Sequence, residues 1–255
     1  MAVHDDLGNR MKTYYEAVPK HRLVRRMPVA IRIDGKAFHT FTKGFDKPFD
    51  SILVEAMQYT TEQLCKNVQG CVFGYCQSDE ISLLLVDYKK LNSDAWFDYN
   101  IQKCSSIAAS LAANYFNSYL LDCITNFKSF EQAEEANFLS NKLFKASFDA
   151  RIFNIPKEEV VNYFIWRQND CIRNAINSIG QYYFSHKDLQ YKNVSQIKEM
   201  LVNNGINEED YSGFCRFGSA IIKDCKGNGK EEWLVVVSPI FKENRNFINK
   251  TFIFN

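Results

Sequence analysis

The chain has 255 residues, 46% hydrophobic and 24% charged, long enough for one large domain or two small ones around a buried core. Twenty-one Phe and thirteen Tyr exclude a disordered chain, and a formal net charge of +1 excludes a global field that would drive the protein onto nucleic acid or membrane. No apolar run reaches the roughly 20 residues of a membrane span.

The first strand is read at Val29, Ile31 and Ile33, which alternate with Ala30, Arg32 and Asp34 and end at Asp34-Gly35. Ser51 is expected to cap a helix running to about Lys66, with Ile52, Leu53, Ala56, Met57, Thr60 and Leu64 on its apolar face. Two strand-like runs, Cys71 to Cys76 and Ile81 to Val86, flank Gln77-Ser78-Asp79-Glu80. A long helix follows from about Asn100 to Ile124, then a short strand from Ala146 to Phe153. Strand, helix, strand, strand, helix, strand is the ferredoxin-like order: an antiparallel sheet with helices on one face. Residues 1–155 are therefore expected to form a catalytic core with a basic N-terminal arm, and residues 156–255 an extension packed on it as one unit.

In that extension Pro156 is expected at the first position of a helix that continues towards Phe184, with Glu158 and Glu159 in its first turn. Ser195 is expected to start another helix, stopped by Gly205. Phe214 to Ile222 and Glu231 to Val237 read as a hairpin around Lys226-Gly227-Asn228-Gly229, and Phe252 and Phe254 give the tail an aromatic end that docks on the domain.

The eight cysteines form no CxxC and lack the spacing of a zinc site, so they read as reduced, partly buried thiols. With no apolar secretory core in Met1 to Asp6 and no Arg-rich transit signature in Met1 to Arg10, the expectation is a cytoplasmic protein, with the mitochondrion as the alternative.

The chemistry-bearing residues are carboxylates. The first and third strands of a ferredoxin-like sheet are central neighbours, so Asp34 should meet the Asp79-Glu80 tip at one end of the sheet. Asp-Gly and Ser-Asp are also ordinary turn sequences. Clustered carboxylates repel unless a cation neutralises them, and hard oxygen donors select Mg²⁺. Two such ions are the palm arrangement of nucleotide polymerases and cyclases. The run Arg32-Ile33-Asp34-Gly35-Lys36-Ala37-Phe38-His39 lets the backbone approach a phosphate at Gly35 and offers amides beyond it, and no Walker-type motif competes. Nine Lys/Arg against three acids between Lys12 and Lys47 give a local +6, with Lys47 before Pro48 the best placed towards a triphosphate.

These segments, with Lys47-Pro48-Phe49-Asp50, Tyr75-Cys76-Gln77-Ser78-Asp79-Glu80-Ile81-Ser82, Phe148-Asp149-Ala150-Arg151 and Trp166-Arg167-Gln168-Asn169-Asp170, resemble the tRNA-His guanylyltransferase family over about residues 7 to 220. The resemblance implies a polymerase-like palm working in the 3′–5′ direction on the 5′ end of tRNA. A 5′-monophosphate is adenylylated by ATP, or a 5′-triphosphate is used directly, and the 3′-hydroxyl of GTP or another NTP then attacks. It implies Mg²⁺ held by Asp34, Asp79 and the Gly35 carbonyl, with Glu80 in support. Asp34 through His39, Lys47, Asp50, Ser78 and Asp79 become nucleotide-binding positions. Arg25, Arg26, Arg151, Arg167 and Asn174 are weaker candidates for RNA or phosphate contacts. The family's tetrameric habit implies a homotetramer.

One segment departs from the family pattern. Where the tRNA-His specialists carry His-Ile-Asn-Asn-Leu-Tyr-Asn, this chain reads Ile172-Arg173-Asn174-Ala175-Ile176-Asn177-Ser178, with only Asn174 in register. The expected function is therefore template-directed 5′-end repair or editing of tRNA, as in the guanylyltransferase-like branch. The alternatives are dedicated addition of one G to tRNA-His, a nucleotide cyclase on the same palm, and a non-catalytic tRNA-binding protein.

Overall fold

A computed structural model describes residues 5–127, 133–225 and 231–253; the expected hairpin turn at Lys226 to Gly229 and Phe254 lie outside them. Six antiparallel strands form one sheet in the order β4-β1-β3-β2-β5-β6. The strands are β1 (Val29–Gly35), β2 (Cys71–Gln77), β3 (Glu80–Leu85), β4 (Phe148–Asn154), β5 (Ser219–Cys225) and β6 (Glu231–Val237). The first four give the expected ferredoxin-like palm, and the β5–β6 hairpin extends the same sheet beyond β2.

The helices in chain order are α1 (Asp6–Met11), α2 (Phe38–Phe41), α3 (Ser51–Asn67), α4 (Ile101–Asn126), α5 (Ala133–Lys142), α6 (Lys157–Tyr183), α7 (His186–Leu189), α8 (Val194–Asn203), α9 (Gly213–Phe217) and α10 (Asn246–Phe252). Alternation along β1 divides the core. Val29, Ile31 and Ile33 face α3 and α4, where Ala56, Met57, Leu64, Ala108, Ala112 and Phe116 complete one apolar layer. Ala30 and Leu84 face the other way, onto Val160, Val161 and Phe164 of α6 and Ile248 and Phe252 of α10. The palm's own helices thus lie on one face, as expected, and the appended helices cover the other. A third apolar cluster, Ile176, Ile179, Ile197 and Leu201, holds α8 against the far half of α6.

Several local expectations are corrected. The cap of α3 is Asp50, not Ser51: the two oxygens of its carboxylate accept the amides of Leu53 at 3.1 Å and Asp46 at 3.0 Å, and Ser51 is already the first helical residue. Pro156 is the cap residue before α6 and not its first residue. Asn193, paired with Gln196 in a capping box, starts α8 two residues before Ser195. The stretch from Phe214 is not strand; Ser212 caps the short helix α9, Gly218 at φ 80° ends it, and β5 begins only at Ser219. Its aromatic composition imitates a strand, but the serine and glycine flanks decide. Phe252 docks as expected and is fully buried.

The ring of Phe164 is fully buried and packs edge-on against Phe73 at 4.9 Å and Tyr163 at 5.1 Å, so the extension shares its core with the palm. Phe164→Ala should cost roughly 3–5 kcal/mol. Urea unfolding followed by circular dichroism is expected to show that loss within one cooperative transition.

Candidate active site

The site stands where β1 and β2 end. Across β1 and β3, Asp34 lies opposite Glu80; across β1 and β4, Asp34 lies opposite Asp149. Directly opposed residues share a face, so Asp149, Asp34 and Glu80 form an acidic row on the α6 side of the sheet. The Gly35 amide donates to the Asp79 carbonyl at 3.0 Å, fixing the β2–β3 turn beside the end of β1. Ser78 takes φ 50° in that turn, and Ala37, after β1, takes φ 54°. Each non-glycine residue in this left-handed region costs about 1 kcal/mol or more, held here by the strands on either side.

A cavity of about 480 Å³ opens at this corner, within the roughly 300–1,000 Å³ range of small-molecule sites. Its walls include Gly35, Ala37, Phe38, His39, Lys47, Asp50, Ser78 and Asp79. Among the expected nucleotide positions, Asp34 and Lys36 lie off this lining. The close approach at Gly35 is to the protein itself, because a Cβ there would meet the Phe38 ring at 2.3 Å. That ring is buried against Phe41, Phe116 and Phe148. The Asp50 carboxylate is occupied by its cap bonds, while His39 and Lys47 are exposed on the cavity wall.

Burial pushes the Asp79 carboxyl up from its ordinary range, and the charge of Asp34 adds to the rise, against hydrogen bonds from its own amide and Ser78. Burial also raises Glu80, against the lowering pull of Arg167 and Arg32. Arg167 is not free to meet RNA. It is buried on α6, donates to Glu80 Oε2 at 2.6 Å, pairs with Asp170 and stacks its guanidinium 3.6 Å over the Trp166 ring. One oxygen of Glu80, Oε1, remains buried without a partner.

The other weak RNA candidates fall in different places. Arg25 and Arg26 lie at the opposite end of β1, where the Arg25 side chain and the Arg26 amide satisfy the fully buried Asp87 at 2.9 and 2.8 Å. Arg151 is exposed on β4, 3.4 Å from Asp149. Asn174 does reach the cavity. It comes with Cys171, Ala175 and Ser178 from the same face of α6, and with Phe214 and Cys215 from α9. Except for Asn174, the reading of the sequence missed this wall. The spacing 171, 174, 175, 178 is a helical stripe that could have flagged it. The buried thiols of Cys76 and Cys171 are pushed up to about 11 and about 12 by burial and stay protonated at neutral pH.

Among the described residues no group of three or more His, Cys, Asp or Glu side chains is arranged to hold a metal ion. No described helix is long and apolar enough to cross a membrane.

An antiparallel palm with paired carboxylates at the lip of a nucleotide-sized cavity is the construction of a nucleotidyltransferase. The model of the tRNAHis guanylyltransferase (Thg1) family matches residues 8–156, and the chain belongs to that family. A solved bacterial tRNA(His) guanylyltransferase-like protein in complex with ATP is 36% identical, superposes with a TM-score of 0.85, and is covered over 100% of its length by 98% of this chain. Another such bacterial structure, in complex with GTP, gives 35% identity and a TM-score of 0.81. An uncharacterized protein of Acanthamoeba polyphaga mimivirus is 30% identical over 79% of this chain and 71% of its own length. The probable tRNA(His) guanylyltransferase of Homo sapiens is 28% identical over 59% of this chain, a match spanning 46% of the human protein.

The raised carboxyl of Asp79 binds its proton more tightly in the folded state than in the unfolded chain. Its contribution to stability is therefore greatest below the ordinary carboxylate range and is lost as pH rises through the folded value. At neutral pH the ionised pair costs stability. Asp79→Asn is expected to raise the melting temperature slightly in EDTA at pH 7, an advantage that shrinks towards pH 4. Arg167→Met, which strands Glu80 in the interior, should cost roughly 3–5 kcal/mol by the same thermal measurement.

Proposed function

We propose that the chain extends the 5′ end of tRNA by template-directed 3′–5′ nucleotide addition, a repair or editing activity following ATP activation of a 5′-monophosphate. In the activation step the 5′-phosphate oxygen attacks the α-phosphorus of ATP and pyrophosphate leaves. In the extension step the 3′-hydroxyl of an incoming NTP attacks the activated 5′-phosphorus, the hydroxyl proton passes to water or a carboxylate, and AMP leaves.

The observation that carries the reading is the composition of the cavity. The segments that the family resemblance assigns to nucleotide binding converge there, and its third wall is the altered stretch Asn174, Ala175 and Ser178. The tRNA-His specialists carry an imidazole at the start of that stretch, where this chain has Ile172. Ile172 itself lies off the cavity lining and packs on the Ile176 and Ile179 cluster behind it; its replacement of the imidazole supports a site that takes its instruction from a template base and not from one fixed guanine addition. The bacterial relatives bound to ATP and to GTP support both nucleotides as substrates.

The donor set fits Mg²⁺. Asp34, Asp79 and the Gly35 carbonyl are all hard oxygens, burial and mutual repulsion raise Asp79, and Glu80 keeps an unpartnered buried oxygen nearby. Two such ions would supply neutralisation of the phosphoryl charge and activation of the attacking oxygen. The protein's own share is positional. Arg167 holds Glu80 beneath the turn, Ser78 donates to Asp79 at 3.1 Å, and Lys47 and His39 reach the cavity from its outer wall. A homotetramer working in the cytoplasm belongs to the same reading; the seven unpaired cysteines from Cys65 to Cys215 support a reducing compartment.

The test supplies Mg²⁺, ATP and all four NTPs to a 5′-truncated tRNA and to an intact tRNA-His lacking its extra G. Preferred, template-matched extension of the truncated tRNA is expected, falling at least about a hundredfold in Asp79→Asn. Preferred addition of a single G to tRNA-His would assign the specialist activity. Cyclic product from ATP or GTP alone would assign a cyclase. Binding of tRNA with no extension would leave a non-catalytic tRNA-binding protein.

A further inference from the structure

The cavity-facing stripe of α6 does not stop at the cavity. Asn174 and Ser178 line the wall, and Tyr182 is the next residue on that face, one helical turn or about 6 Å further out. From the opposite wall, Phe49 lines the cavity and meets Tyr211 edge-on at 5.6 Å. The Tyr211 hydroxyl donates to that of Tyr183 at 3.1 Å, and the Tyr183 ring meets Tyr182 at 4.9 Å. Two ring contacts and the hydroxyl bond between them link the four side chains from the cavity to the surface. The outer two, Tyr182 and Tyr183, are 54% and 46% exposed, so the apolar cluster beneath them does not account for their size.

We propose that this track binds the unpaired 3′ strand of the RNA substrate by stacking. The inference rests on the reading of the chain as a tRNA 5′-end enzyme. A 5′ end that is being paired to a template lies beside the strand that templates it, and that strand continues past the duplex as a single-stranded tail. Aromatic faces accept any base, which suits substrates of several identities. Within five residues of the four rings along the chain stand Lys47, Lys187 and Arg216 against Asp46, Asp50, Asp188, Glu208, Glu209 and Asp210, which give no excess of positive charge. The track therefore holds bases and not phosphates, and its contribution changes little with salt.

The experiment compares wild type, a Tyr182→Ala/Tyr183→Ala double variant and the matching Phe double variant on a 5′-truncated tRNA with and without its 3′ tail. For wild type, removing the tail should lower kcat/KM by about tenfold or more, roughly tenfold for each stacked base. The Ala variant should show that loss on the tailed tRNA and no further loss on the tailless one. The Phe variant should stay within about twofold of wild type, and the KM for NTP should not move in either. In parallel, fluorescence anisotropy with a labelled single-stranded hexa-adenylate reads the track without catalysis. Wild type and the Phe variant should bind it, the Ala variant at least about tenfold more weakly, with little change in that ratio between about 50 and 200 mM NaCl. Equal binding by all three proteins, or an Ala loss of the same size on tailed and tailless tRNA, overturns the track. If wild type extends no tRNA, the catalytic reading fails on its own, and the anisotropy comparison still decides the track.

Discussion

The pairing of β1 with β3 sets the position of everything else at the site. It puts Asp34 opposite Glu80 and, through the Gly35 amide on the Asp79 carbonyl, draws the β2–β3 turn against the end of β1. A slip of one residue would turn Asp34 into the layer of Ile31 and Ile33 and bring an isoleucine onto the α6 face. The apolar cost of that exchange on both faces locks the register. Two carboxylates that repel one another are held close because the hydrophobic pattern of the strands leaves them no alternative.

The second support is α6. Its Arg167 neutralises Glu80 under the turn, and its Gln168, almost fully buried, uses both ends of its amide: Nε2 donates to the carbonyls of Phe217 and Pro239, and Oε1 accepts the Phe241 amide at 2.8 Å. Two consecutive residues thus tie the palm's acidic end to the last segments of the chain. A buried ion pair adds little net stability, because desolvation offsets attraction, but removing one partner is expensive. The consequence is specificity of placement: this docking of α6 delivers Asn174, Ala175 and Ser178 to the cavity.

Much of this was legible in the residues. Period-two alternation gave β1, short apolar runs around the Gln77-Ser78-Asp79-Glu80 turn gave β2 and β3, helical spacing gave α3, α4 and α6, and the order of elements gave the palm, from which the meeting of Asp34 with the Asp79-Glu80 tip follows. Helix starts were less legible, because Asp50 and Asn193 competed with nearby serines and the winner is the residue placed to accept an amide of the first turn, Leu53 for Asp50 and Gln196 for Asn193. The short helix α9 was hidden by its aromatic composition. Arg25, Arg26 and Arg167 share their positive charge with Lys47 and with phosphate-binding residues in general. Only the fold shows that the Arg25 guanidinium and the Arg26 amide serve the buried Asp87, and the Arg167 guanidinium the buried Glu80.

The sequence by itself determined the strand faces, the palm topology and the identity of the carboxylates, because those rest on local periodicity and on neighbouring strands. The tertiary structure alone decided which charges face a ligand and which are consumed inside, that Gly35 makes room for Phe38, and that residues near 174 and 215 close the cavity. Most of these outcomes depend on contacts between segments distant in the chain, 62 residues for Arg25 with Asp87 and 87 for Arg167 with Glu80, and no local pattern encodes which partner a charged or aromatic side chain will find.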